Sequence, residues 1–198
     1  MGWNLERNNM HWNYFLALEA DVVHLARFIE PHESNLQVFS LELARLLLAI
    51  GAEADVVSKL LVARLTGQEK AMRDRREPLV ECFPWLPDVC VRIPRFNLSG
   101  SPLQGWSEGT PPSWWDDYNH VKHRRAEEFS RANLKNVLDA LAGLFLFDIV
   151  YCRCTGTDAL MPAPVLLYPV SELGNIAICR DGQLIDLRTQ RPPVPVRH

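Results

Sequence analysis

The sequence predicts a mainly α-helical fold, an up-and-down helical bundle followed by a small C-terminal β-hairpin extension. Three observations predict it. Apolar residues recur at three- and four-residue steps through 9–65 and again through 131–150, the period of an amphipathic helix. Prolines and glycines crowd into 78–112 and interrupt that pattern. After Gly156 the texture changes to short β-rich runs around an Asp-Gly turn signal. The expected division is a helical bundle over 1–154 and a β-containing extension over 155–198, packed on the bundle or extended.

Residues 9–29 read as the first helix, with Trp12, Phe15, Leu16, Val22, Val23, Ala26 and Ile29 on one face. Pro31 ends it, because proline disfavours helix in the residue before it. Ser34-Asn35-Leu36-Gln37 matches a capping box, in which the serine hydroxyl accepts from first-turn amides and the glutamine reaches back. A second helix then runs through Leu36, Phe39, Leu43, Leu46, Leu47 and Ile50, with Gly51 expected to bend or end it. Helical spacing resumes from Ala52 to Leu65 and stops at Thr66-Gly67. Residues 68–76 are charged and expected helical. The 78–112 stretch reads as an irregular connector with a short extended piece at Val89–Ile93. Ser113 is the expected cap of a helix opening at Trp114, and Ser130 of a buried last helix from Arg131 to about Val150. Beyond it, Val165–Tyr168 and Asn175–Cys179 are expected strands. Leu184–Leu187 returns across the Asp181-Gly182 turn, and the proline-rich tail from Arg191 is extended.

In 198 residues, 47% apolar and 23% charged, there is material for one ordinary globular core. No stretch reaches the ~18 uninterrupted apolar residues of a membrane span. The N-terminus has no cationic start followed by an apolar run, and Met1-Gly2 lacks the downstream Ser or Thr of a myristoylation signal. A cytoplasmic protein with no membrane contact is expected. The net charge of −3 excludes a generally basic, phosphate-coating protein but not a local basic cluster. The five cysteines fit reduced thiols, and the lone Cys152-x-Cys154 does not make a metal site, so neither metal nor cofactor is expected.

Chemistry concentrates in Trp114-Trp115-Asp116-Asp117-Tyr118-Asn119-His120-Val121-Lys122-His123-Arg124-Arg125. On a helix, Asn119 and His123 share one face, while Asp116, His120 and Arg124 share the neighbouring one. Histidine moves protons near neutral pH, and adjacent cations suit a phosphate or its transition state. Together they fit metal-independent RNA cleavage, in which a base activates the ribose 2′-hydroxyl while cations hold the phosphate. The same residues also fit a plain reading. Asp116–His120 and Asp117–Arg124/Arg125 would be surface pairs, and the two tryptophans core anchors.

The block Tyr118-Asn119-x-Val121-Lys122-His123-x-Arg125, preceded by Trp114-Trp115 and followed by Leu134-Lys135-Asn136-Val137-Leu138, resembles the signature helix pair of the HEPN superfamily. Upstream, Tyr14, Arg27-Phe28-Ile29-Glu30-Pro31, Phe39-Ser40-Leu41-Glu42-Leu43 and Ala49-Ile50-Gly51-Ala52-Glu53 follow the same order, so the resemblance spans about residues 10–150. It implies a helical up-and-down bundle that forms a homodimer. It also implies an RNA-directed function, as a metal-independent endoribonuclease of a defence or toxin–antitoxin type system. By the same resemblance His123 moves the proton and Asn119 orients it or binds substrate. Lys122, Arg124, Arg125 and Tyr118 form the substrate-binding set. The family's catalytic pattern sets an arginine upstream of the histidine with four to six residues between them. Here the nearest upstream arginine is Arg95, and Tyr118 stands in the slot beside the polar residue. Arg27-x4-His32 meets the literal spacing, but Pro31 puts His32 past the helix end.

The rival expectation is a catalytically silent module that dimerises and binds RNA or a protein partner such as an antitoxin. A third is a nucleotide- or small-molecule-binding bundle built on the 78–112 connector and on Trp85, Trp106, Trp114 and Trp115. Under the enzyme reading His123 is open to solvent beside a cation. Under the silent reading it is buried or paired with Asp116, Asp117 or Glu128. Elsewhere, Glu42 and Glu53 are expected in structural pairs, with Arg45 and Lys59 as local partners. His11 and His24 are expected to be structural, and Arg73, Arg75 and Arg76 to be a solvated face.

Overall fold

The computed structural model of the protein describes residues 10–155, 159–160, 162–169, 177–180 and 183–185. Four long helices carry it: α1 (Met10–Leu25), α2 (Leu41–Thr66), α4 (Ser113–Glu128) and α5 (Leu134–Thr155), with a short α3 (Arg76–Cys82) between the second and third. His11 meets Glu53 and Asp21 meets Arg45, so α1 runs antiparallel to α2. Trp114 lies against Gly143 and Asp117 against Asn136, so α4 runs antiparallel to α5. The long helices thus alternate in direction, and the mainly helical up-and-down bundle predicted from the sequence is what forms. α5 is the central member, buried nearly all round from Ala140 to Val150. Trp12 and Phe15 of α1 stack with each other and reach Phe145 of α5.

The second helix starts later than expected. Ser34 belongs to a single 3-10 turn capped by His32, and Ser40 is the true cap of α2, its hydroxyl accepting from the Leu43 amide at 3.1 Å. The segment before α2 has another task. Val38 and Leu36 carbonyls accept from the Leu134 and Lys135 amides at 3.0 and 2.9 Å. Asn133 takes the next two, Asn136 through its side-chain oxygen and Val137 through its carbonyl. All four amides that open α5 are therefore bonded, and Asn133, not Ser130, is the cap. At the other end of α2, Gly67 takes the left-handed conformation at φ 76° and its N–H closes on the Ala63 carbonyl, the stop read from Thr66-Gly67.

Gly51 neither bends nor ends α2. A Cβ there would lie 2.4 Å from the Tyr118 ring, so the glycine exists to admit α4. Gly143 does the same on α5, where a Cβ would lie 2.6 Å from Trp114. The Trp114 indole N–H also donates to the Pro102 carbonyl at 2.8 Å, tying α4 to the connector.

That connector is folded, not structureless. β1 (Val91–Ile93) falls within the extended piece expected at Val89–Ile93 and pairs antiparallel with β2 (Leu98–Gly100). On its other side β1 pairs with β4 (Tyr168–Pro169). Trp106 is buried, with Arg76 donating to its carbonyl. Between 68 and 76 the expected helix is reduced to a 3-10 turn at Met72–Asp74. A second sheet orders β3 (Ala159–Leu160), β5 (Ala177–Arg180) and β6 (Gln183–Ile185), with β5 and β6 antiparallel. Arg180 faces Gln183 in that pairing, the register of the predicted hairpin. The turn residues Asp181-Gly182 and the tail from Arg191 lie outside the described residues. Of the expected Val165–Tyr168 strand only Tyr168 is in strand, because the amides of Val165, Leu166 and Leu167 are taken by the buried carboxylate of Glu19.

Candidate functional site

Every third or fourth residue of α4 from Trp114 is apolar and large: Trp114, Tyr118 and Val121, with Trp115 beside them. That face is buried against Gly51 and Gly143, and it fixes where the polar residues of the helix point. Lys122, His123, Arg124 and Arg125 follow on the outward side and all are exposed. Arg124 has backbone angles of −137° and 40°, outside the helical region, so the helix kinks one residue after His123.

Six residues were predicted to form the site, and the structure treats them differently. His123 is exposed and makes no hydrogen bond or ion pair among the described residues. Lys122, Arg124 and Arg125 likewise form no salt bridge among the described residues, although Arg124 lies near enough to Glu128 to help lower that carboxyl's pKa. The Lys122 ammonium sits 5.4 Å from the centre of the Tyr118 ring. Asn119 is half-buried one turn before His123, its amide nitrogen donating to the Trp115 carbonyl at 3.0 Å. Tyr118 is a correction. It was grouped with the substrate-binding residues, but its ring fills the space left by Gly51 and is buried, so it holds α4 in place instead.

Pairing beside this end differs from the expectation. Asp117 does not engage Arg124 or Arg125. It pairs with Arg131 and accepts from the Asn136 amide at 2.8 Å. Arg131 also donates to Glu128 at 2.6 Å, and that guanidinium holds the Glu128 carboxyl below its ordinary range. His120 sits between Asp116 at 3.5 Å and Glu128 at 3.7 Å. The Asp116–His120 contact was legible from its four-residue spacing. The links through Arg131 were not, because they cross a change of helix.

Other charged residues resolve into structural roles. Glu42 pairs with Arg45, as expected, and Arg45 also reaches Asp21. Glu53 pairs with His11 at 2.6 Å, not with Lys59, which goes to Glu69. Arg75 overturns the solvated-face expectation for its run. It is buried and donates to Asp55, Ser58 and the Lys70 carbonyl. Asp148 is marked in the sequence as the one charged residue in the apolar run 140–151. It is buried in α5 with neither carboxylate oxygen hydrogen-bonded, and burial together with the nearby Glu53 raises its pKa well above the ordinary value. Burial also pushes the Cys154 thiol up to about 11, so it is held as an unreactive thiol. Among the described residues, no group of three or more His, Cys, Asp or Glu is placed to hold a metal ion.

A cavity of about 510 Å³ lies between the β1–β2 hairpin, the 101–113 loop and the start of α5, with a Lys135–Asp139 pair on its wall. None of Trp85, Trp106, Trp114 or Trp115 lines it, and neither do the α4 cations. The aromatic residues proposed for a small-molecule site are thus spent on packing. No helix is long and apolar enough to cross a membrane among the described residues. No family model, curated protein or solved structure matches the chain.

Proposed function

We propose that the protein is an RNA-directed, HEPN-like ribonuclease that cleaves without a metal, working from the outward end of α4. The observation that carries this reading is the state of four consecutive residues. Lys122, His123, Arg124 and Arg125 stand exposed and form no salt bridge among the described residues, Glu128 acting on Arg124 only through space. Elsewhere Arg45, Arg75, Arg131, Lys59 and Lys135 engage acids, while the exposed Arg27, Arg92 and Arg95 also stand without a salt bridge among the described residues, but singly and not as a run. A cationic run without salt bridges around an exposed imidazole suits a phosphodiester: the cations hold the phosphate and the imidazole accepts the 2′-hydroxyl proton. Asn119, one turn earlier, positions the substrate through its amide oxygen. In the same proposal two copies bring two such ends around one cleft, as the HEPN resemblance implies.

A second reading, RNA or protein binding without cleavage, is favoured by one observation. Tyr118, in the slot beside the polar residue, is buried and offers substrate nothing. One experiment separates the two. Purified protein is incubated with total and transfer RNA in EDTA, beside His123→Ala. Cleavage by the wild type alone, leaving 2′,3′-cyclic phosphate ends, is the expected result. RNA retention without cleavage moves the protein to the binding module, and equal cleavage by both proteins removes His123 from the site.

A further inference from the structure

We infer that Phe39 is a stacking platform for an unpaired base of single-stranded RNA, set beside the cations of α4. This inference rests on the RNA-directed reading above, with or without cleavage. Phe39 is 48% exposed, yet its backbone is held in place. It bridges antiparallel to Asn133. On one side of it Ser40 caps α2, and on the other the carbonyls of Leu36 and Val38 hold the first amides of α5. A segment fixed at both ends thus presents an aromatic ring to solvent.

Among the described residues the ring's aromatic neighbour is Phe129, 5.5 Å away between centres and at 85° to it. An edge-to-face pair uses at most one face of each ring, so a face of Phe39 stays open. Phe129 packs against the core and steadies the pair. It also joins the pair to the charged end. Phe129 follows directly on α4 with helical angles of −60° and −33°, four residues after Arg125, so the two lie about one turn apart. Between them, Glu128 is already bonded to Arg131. The cations and the open ring therefore lie on adjoining ground at one end of the bundle.

That combination serves a single strand and is wasted on a duplex. Cations hold phosphates without reading sequence, and an aromatic face stacks on any base. A base reaches Phe39 only when it is free of a partner strand and splayed from its neighbours. The site therefore selects loops and single-stranded ends, with little preference among bases. Phe28 is more exposed, at 74%, but its ring neighbour is His24 and no run of cations flanks it, which makes it the natural control.

The test uses the full chain and a short 2′-O-methyl RNA oligonucleotide, which cannot be cleaved, alone and annealed to its complement. Affinity is read by fluorescence anisotropy. Stacking is read from 2-aminopurine placed at successive positions, whose emission falls when the base is stacked. Phe39→Ala and Phe39→Leu are expected to weaken single-strand binding about 5- to 150-fold, the worth of one stacked base, and to leave duplex binding unchanged. Both should also abolish the 2-aminopurine quenching, whereas Phe39→Trp and Phe28→Ala should keep affinity and quenching. Full recovery with Phe39→Leu would make the role apolar packing and overturn stacking, and so would equal loss on both forms of the oligonucleotide. An unchanged single-strand affinity in Phe39→Ala overturns the assignment as well; a dimer lost in light scattering by that same variant would identify Phe39 as a contact between copies. If the wild type retains neither form, the RNA-directed reading falls and the platform with it. If the wild type binds the single strand, Lys122→Ala/Arg124→Ala/Arg125→Ala weakens it and Phe39→Ala does not, the platform falls alone.

Discussion

On α4, Trp114, Trp115, Tyr118 and Val121 are buried against the bundle, whereas Lys122 to Arg125 are exposed with no salt bridge among the described residues. The inward face is specified by shape: two glycines on two other helices are cut to receive one tyrosine and one tryptophan. The outward end is specified by charge and by the absence of packing. The difference teaches that a rigid seat and an open end are not rivals on one helix. The close fit of the first fixes the direction in which the second projects, so a site at the free end inherits its geometry from residues that never touch a ligand.

The comparison can be broken most forcefully from the inside. Trp114→Ala removes a fully buried ring and leaves the Pro102 carbonyl unpaired; it is expected to cost ~3–5 kcal/mol in urea denaturation. The next effect depends on pH. Asp148 holds its proton more tightly in the fold than in the unfolded chain, because burial and Glu53 raise its pKa. Its contribution is therefore full below the ordinary Asp value of ~4 and drains away as pH rises towards the raised value. Thermal melts from pH 4 to 8 should show the wild type losing stability relative to Asp148→Asn as pH rises, and parallel curves would contradict this. Gly51→Ala places a methyl against the Tyr118 ring and is expected to cost ~1–3 kcal/mol, with a smaller effect if the ring shifts. Asn133→Ala removes the cap of α5 and is expected to cost ~1 kcal/mol. At the small end, Lys122→Ala/Arg124→Ala/Arg125→Ala should move stability by less than ~0.5 kcal/mol. The same triple variant should weaken RNA retention and flatten its salt dependence. A triple variant that unfolds would show that the outward end is structural after all.

Much of this was legible in the sequence where interactions are local. The periodicity of α1, α2 and α5, the Thr66-Gly67 stop, the Glu42–Arg45 pair and the Asp116–His120 contact all lie within a few residues of one another. The reverse holds for what was misread. Ser34 and Ser40 offer the same hydroxyl; what separates them is that residues 36–39 are needed by α5, about a hundred positions later. The Glu53–His11 and Asp55–Arg75 pairs depend on which helices become neighbours. Tyr118 looked like a site residue because it sits beside Asn119. Only the ring-sized gap at Gly51 shows that it faces the other way.

The amides that open α5 are bonded to the carbonyls of Leu36 and Val38, and Asn133 donates to Gln37 across 96 residues of chain. Asn133 closes the first turn locally, but the two leading amides of the central helix gain their protein partners only when the beginning and the middle of the chain have met. Loop closure over that span precedes any gain from those bonds, which places the junction late on the folding path. Mutations there, such as Asn133→Ala, should quicken unfolding and leave the refolding rate nearly unchanged. The amides of Leu134 and Lys135 should exchange with solvent sooner than those of Leu144 and Phe145, two to three turns further into the same helix.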